Sequence, residues 1–189
     1  IQTAANLEYQ GESGALNESF ADIFGAMIDR DNWQLGEDIV NTGIFSSGAL
    51  RDLQNPNNGG NSLSDAGYQP DNVDDQFTGS QDNGGVHINS GITNRAYYLF
   101  ATAIGKDKAE QIYYRALTEY LVRSSKFIDL RIAVIQAATD LHGATSTEVN
   151  AAKDALSAVG IGEGAGTQTQ TDIGMNTGEE YILLSNNEL

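Results

Sequence analysis

The chain has 189 residues, enough for one domain or one and a half around a real core. Its 26 acids against 10 bases give a formal charge of −16, which argues against nucleic acid and anionic membrane surfaces as partners, because polyanion binding needs clustered Lys and Arg. The apolar share of 40% is ordinary for a soluble fold, no run is long enough to span a bilayer, and the lack of cysteine excludes disulfides, thiolate metal sites and thiol nucleophiles. Cation binding and simple solubility of an exported protein both remain as explanations of the acidity.

The segment Ile1-Gln2-Thr3-Ala4-Ala5-Asn6-Leu7 has neither an initiator Met nor a basic leader region, so the chain reads as a piece of something longer. Residues 1–13 are expected to end a helix and enter a turn at Gly11-Glu12-Ser13. A first strong helix is predicted from about Gly14 to Arg30, with Leu16, Phe20, Ile23, Phe24 and Met27 at helical spacing. Glu18, Asp22, Gly25 and Asp29 fall in one narrow stripe opposite that apolar face. Such a stripe is either a solvated acidic face or a site covered by other parts of the chain. In the second case its carboxylates must meet a metal, a cation or hydrogen-bond donors. Periodicity leaves both readings open.

A polar loop, Asp31 to Asp38, follows. From Asn41 to Asp82 the sequence is mostly irregular, with Pro56, Pro70 and the breaker run Asn57-Asn58-Gly59-Gly60. So long a stretch within one domain is more often functional or metal-pinned than idle. After Asp82-Asn83-Gly84-Gly85 the pattern turns helical. Asn89 or Ser90 is the expected cap of a helix reaching Gly105, and a second helix runs from about Lys106 to Leu121. A third, capped by Ser124 or Ser125, stops at Gly143, and a fourth opens on Thr145-Ser146-Thr147-Glu148 read as a capping box. Past Gly162 the pattern is lost: Thr167-Gln168-Thr169-Gln170 reads as linker, and Tyr181-Ile182-Leu183-Leu184 as a strand start or an ordered tail. The expected architecture is mainly α, a bundle of about five helices with a long irregular loop region.

His87 and His142 are the two histidines, and no His-Glu-x-x-His occurs. His87 follows the Gly84-Gly85 turn and has Asp82 five residues before it, where a carboxylate can fix an imidazole tautomer. His142, beside Gly143 near a helix end, reads as a surface residue compatible with the helix dipole.

Two stretches carry a specific resemblance: Gly14-Ala15-Leu16-Asn17-Glu18-Ser19-Phe20-Ala21-Asp22-Ile23-Phe24-Gly25, and Asp82-Asn83-Gly84-Gly85-Val86-His87-Ile88-Asn89-Ser90-Gly91. In their order and separation they resemble the thermolysin-like family of zinc metalloendopeptidases. The similarity continues through Tyr113-Tyr114-Arg115-Ala116-Leu117-Thr118 and Ala137-Ala138-Thr139-Asp140-Leu141 to about Gly162. The resemblance implies that residues 1–162 form the family's α-helical C-terminal domain, with 163–189 as linker, tail or the start of another element.

It also implies roles. Glu18 matches the third zinc ligand, and Asp22 the carboxylate that orients a zinc-bound histidine, one helical turn on. His87 and Tyr9 match the groups that stabilise the oxyanion on the scissile carbonyl, and Asp82 the partner that orients His87. Arg51 matches an arginine that hydrogen-bonds substrate backbone, and Leu50 the lining of the apolar pocket for the residue after the cut. Asp29, Asn32, Gln34 and Glu37 match positions of the family's calcium cluster. Amides replace two of its acids, which favours one weaker calcium over a tight pair.

By the same resemblance, the two histidine ligands and the general-base glutamate belong to a segment upstream of Ile1, in a missing N-terminal domain. These residues alone are therefore expected to be inactive, and the exposed contact face is expected to favour self-association. The implied whole is a secreted, zinc-dependent and calcium-binding endopeptidase acting on peptides or proteins. The alternative is a non-catalytic helical binding or calcium-stabilised structural module derived from such a protease.

Overall fold

Helix α1 spans Gly11–Ile28, beginning three residues before the predicted start and following turns, not a helix, over residues 1–10. The computed structural model describes residues 1–162 and two short strands, Ile173–Gly174 and Glu180–Tyr181, which pair antiparallel. The predicted linker at 167–170 and the residues 182–184 lie outside the described residues. Leu16, Phe20, Ile23 and Met27 are buried along α1, as their spacing requires.

Between α1 and the next long helix the chain is almost free of regular structure. Strands β1 (Gln34–Leu35) and β2 (Arg51–Asp52) pair antiparallel, with Gln34 opposite Asp52 and Leu35 opposite Arg51. The loop beyond them is held by its own side chains. Asp52 accepts from the backbone N–H of Asn55 at 2.9 Å, and Asp65 from those of Asn61 at 2.8 Å and Ser62 at 3.0 Å. Leu53 anchors it in the core.

Helices α2 (Gln81–Ile104), α3 (Lys106–Arg115), α4 (Phe127–His142) and α5 (Thr147–Ala158) complete a five-helix bundle. Helix α2 lies along α1 on one side and α5 on the other, while α4 packs on α5 and α3. Tyr113 of α3 sits fully buried among Phe20, Tyr97 and Phe100, with ring centroids 6.0, 4.8 and 5.7 Å away.

Three predicted boundaries change. The single helix expected over 106–121 relaxes after Arg115 into a π turn, Ala116–Tyr120, where the N–H of Leu121 reaches the carbonyl of Ala116. Neither Ser124 nor Ser125 caps α4. Asp129 accepts from the N–H of Lys126 at 2.7 Å, and Glu12 of α1 accepts from that of Phe127 at 2.9 Å, so a carboxylate from another helix caps this end. At α5 the cap is Ser146, whose hydroxyl accepts from the N–H of Val149, while Glu148 turns to Lys108.

Candidate active site

The second of the two motifs begins with four consecutive residues in the left-handed region, Asp82, Asn83, Gly84 and Gly85, at φ of 53°, 50°, 81° and 82°. Asp and Asn tolerate this conformation better than other side-chain-bearing residues, and Gly adopts it without steric cost. At Gly85 a Cβ would also fall 2.7 Å from Phe77 Cδ1. Right-handed helix begins at Val86. Asp82 closes the turn onto it: Oδ2 accepts from the N–H of His87 at 2.7 Å, and Oδ1 lies 2.6 Å from His87 Nδ1. One carboxylate thus sets both the helix start and the imidazole.

Asn89 and Ser90, expected as caps, lie inside the helix and buried. The Asn89 side chain clamps the loop instead, accepting from Phe77 N–H and donating to Phe77 C=O, both at 2.9 Å. Gln69 Nε2 donates to the carbonyl of His87 at 2.6 Å and to Ser90 Oγ at 2.9 Å. The irregular loop is therefore fastened to the turn that carries His87.

On α1, Glu18 faces this turn. The Tyr9 hydroxyl donates to Glu18 Oε1 at 2.5 Å and lies 3.1 Å from His87 Nε2. Glu18 Oε2 is 3.5 Å from the same Nε2. Glu18, Tyr9, His87 and Asp82 therefore form one cluster, assembled from four separate places in the sequence. Tyr9 carries a single phenol proton. With that hydrogen pointing to Glu18, the 3.1 Å contact is a hydrogen bond when Nε2 carries a hydrogen of its own. Loss of solvent around the hydroxyl, then the Glu18 acceptor and the charges of Glu18 and Asp82, push the Tyr9 pKa up to about 12. Tyr9 stays a proton donor at neutral pH.

One turn along α1, Asp22 is three-quarters or more buried, with 17% of its side chain exposed. Burial pushes its carboxyl pKa up, opposed by the amide of Asn94 and the guanidinium of Arg51. Asn94 Nδ2 donates to Asp22 Oδ2 at 2.8 Å while its Oδ1 accepts from Ser19 Oγ at 2.8 Å. Arg51 Nε is 3.8 Å from Asp22 Oδ2, and its Nη1 donates to the carbonyl of Leu50. The Leu50 side chain is exposed. The stripe on α1 is thus no solvated face at Glu18 and Asp22. Farther along, at Gly25, a Cβ would stand 3.2 Å from Leu35 Cδ2, so the β-hairpin packs close there.

Asn94, Ser19 and Gln69 are not singled out by the sequence as parts of this arrangement, and Asn89 is expected only as a helix-start donor beside His87. For Ser19 the available signal was a polar residue directly before the core residue Phe20; Asn94 and Gln69 had no such signal.

A catalytic zinc takes three protein ligands and keeps a fourth position open. Glu18 suits one of the three: Tyr9 takes Oε1, while Oε2 lies 3.5 Å from His87 Nε2. Among the described residues no three His, Cys, Asp or Glu side chains converge on one point. The calcium positions fit less well. Asn32 Oδ1 accepts from the N–H of Gln34 at 2.6 Å, Asn32 Nδ2 donates to Glu37 at 2.8 Å, and Gln34 Nε2 donates to Asp52 at 3.3 Å. An amide nitrogen is no ligand for a hard cation.

Comparison with known proteins bears on this geometry. The sequence profile of the alpha-helical domain of thermolysin metallopeptidase matches residues 5–161. The chain is 48% identical over 171 residues to a bacillolysin of Brevibacillus brevis, covering 85% of this chain and 31% of that protein. It is 45% identical over 172 residues to a thermolysin of Alicyclobacillus acidocaldarius subsp. acidocaldarius, covering 83% and 30%. In structure it is similar to the precursor of protealysin, a metalloproteinase from Serratia proteamaculans, with a TM-score of 0.75 and 31% identity over 85% of this chain and 53% of that one. The chain thus spans about a third of the length of these curated relatives.

Proposed function

This chain belongs to the thermolysin metallopeptidase alpha-helical-domain family, and from that premise we propose that it supplies one wall of the catalytic cleft of a secreted zinc endopeptidase. Residues 1–162 are the helical unit, and 163–189 lead out of it. Glu18 is the zinc ligand contributed from this side, and two more ligands come from outside the described residues. When bound, a zinc ion held in part by Glu18 would supply Lewis-acid polarisation of the scissile carbonyl and activation of a water molecule. Tyr9 and His87 donate hydrogen bonds to the oxygen that gains negative charge, and Asp82 orients the imidazole through Nδ1. Asp22 orients a ligand of the metal from behind, Arg51 binds substrate backbone, and Leu50 lines the pocket for an apolar residue after the cut. Alone, these 189 residues do not hydrolyse peptides.

The observation that carries this reading is the convergence of Tyr9, Glu18 and His87 within 3.5 Å of one another, with His87 fixed from behind by Asp82. The test uses the full-length protein. Glu18→Ala is expected to lose bound zinc, measured by elemental analysis, and activity with it. His87→Ala is expected to retain zinc and lower kcat by about 10²–10³, the usual cost of one oxyanion donor. Full zinc and full activity in both variants would overturn the assignment and favour a non-catalytic module.

A further inference from the structure

The segment after α1 contains the positions expected to bind calcium, yet a different cation reaches it. Lys106 is the first residue of α3. Its Nζ donates to the carbonyl of Arg30 at 3.0 Å and to that of Asn32 at 3.1 Å. The same Nζ stands 4.0 Å above the centre of the Trp33 ring. Around this point the segment is tied into a closed set: the Asn32, Gln34 and Glu37 side chains bond within it or to Asp52, and the N–H of Leu53 reaches the carbonyl of Trp33 at 2.8 Å. Beside Lys106, Arg30 pairs with Asp107 at 2.6 Å and Glu110 at 3.2 Å, which ties α3 to the same turn a second time.

We propose that the Lys106 ammonium holds the segment 29–38 in place of a calcium ion, so that this part of the molecule keeps its structure without a divalent cation. Three features support this. An ammonium offers three donors, and two of its hydrogen bonds reach backbone carbonyl oxygens of the segment. Trp33 adds a cation–π contact on its remaining side. The fixed positive charge also repels a second cation approaching the same carbonyls. Amides at Asn32 and Gln34 match this, because two of the expected calcium positions carry no charge. The inference is independent of the catalytic reading and would survive its failure.

Hydrogen-exchange mass spectrometry on the full-length protein tests it. Peptides covering 29–38 are compared in millimolar calcium and in excess chelator, with peptides of α5 as the internal reference. Wild-type exchange over 29–38 is expected to be the same in both media relative to α5. Lys106→Met, which keeps the stem over Trp33 and removes the ammonium, is expected to speed exchange there by about tenfold or more in both media, as befits losing two charge-assisted hydrogen bonds. Faster wild-type exchange over 29–38 than over α5 on adding chelator would overturn the proposal, because it would show a metal holding the segment. Unchanged exchange in Lys106→Met would overturn it equally. The wild-type comparison stands even if the variant unfolds.

Discussion

Asn94 has no exposed surface, yet it binds polar groups from two positions on α1, donating to Asp22 and accepting from Ser19. Its amide is the group that lets a carboxylate sit mostly buried beside the proposed zinc ligand. Nothing local in the sequence announces it, since Ser19 lies 75 residues away and an Asn in a helix is unremarkable by pattern. His87 and Asp82 were legible for the opposite reason: five residues and a Gly-Gly turn separate them, so their pairing is a local event. Glu148 gives a test at this scale. Its side chain is 7% exposed and 2.5 Å from Lys108 Nζ. That ammonium, followed by a backbone N–H, holds its pKa down to about 2 from an ordinary 4.5. A folded-state pKa below the unfolded one means the pair stabilises fully above pH 4.5 and loses that effect as pH falls toward 2. In urea unfolding, the gap between wild type and Glu148→Gln is therefore expected to be widest near neutral pH and to narrow across that window. A gap independent of pH would assign the loss to packing alone.

At the scale of elements, the helices were readable from apolar spacing and the ends at Gly105 and Gly143 from their glycines, while the start of α4 and the π turn after Arg115 were not. α4 is capped by Glu12, more than a hundred residues earlier, and a nonlocal cap leaves no local signature. The π turn after Arg115 inserts one residue into a pattern only five residues long, too short for the shift in register to be read. The contact of α1 with α2 makes a sharper demand. At Gly14 a Cβ would lie 2.3 Å from Val86 Cγ1 and 3.1 Å from the backbone of Tyr9. The glycine therefore lets the helix bearing Glu18 approach the start of the helix bearing His87. Gly14→Ala is expected to destabilise by about 1–3 kcal/mol through overpacking, despite alanine's better helix propensity. Val86→Ala removes the offending methyl, so the double variant is expected to be less unstable than the sum of the singles by at least about 0.5 kcal/mol. Simple additivity in a double-mutant cycle by denaturant unfolding would mean that Val86 is not what sets the approach of the two helices.

For the molecule as a whole, two features pull in opposite directions. A charge of −16 on 189 residues keeps copies apart. Against this, Ile28, Ile39 and Ile44 are 88%, 83% and 62% exposed, and Leu50 and Leu63 are exposed as well, all on α1's last turn or the irregular region that follows it. Large aliphatic side chains so open suit a surface that meets another part of a longer protein. When these 189 residues are produced alone, that surface has only another copy to meet, and the mutual repulsion opposes it. Salt decides the balance, because the screening length falls from about 30 Å at 0.01 M to about 8 Å at 0.15 M, while apolar attraction is left intact. Sedimentation velocity is expected to show mainly monomer at low ionic strength and concentration-dependent association at physiological ionic strength. Ile39→Lys with Ile44→Lys should reverse that association without changing the circular dichroism of the helices. Monomer at every salt and protein concentration would show instead that the exposed isoleucines are too scattered to act as one surface.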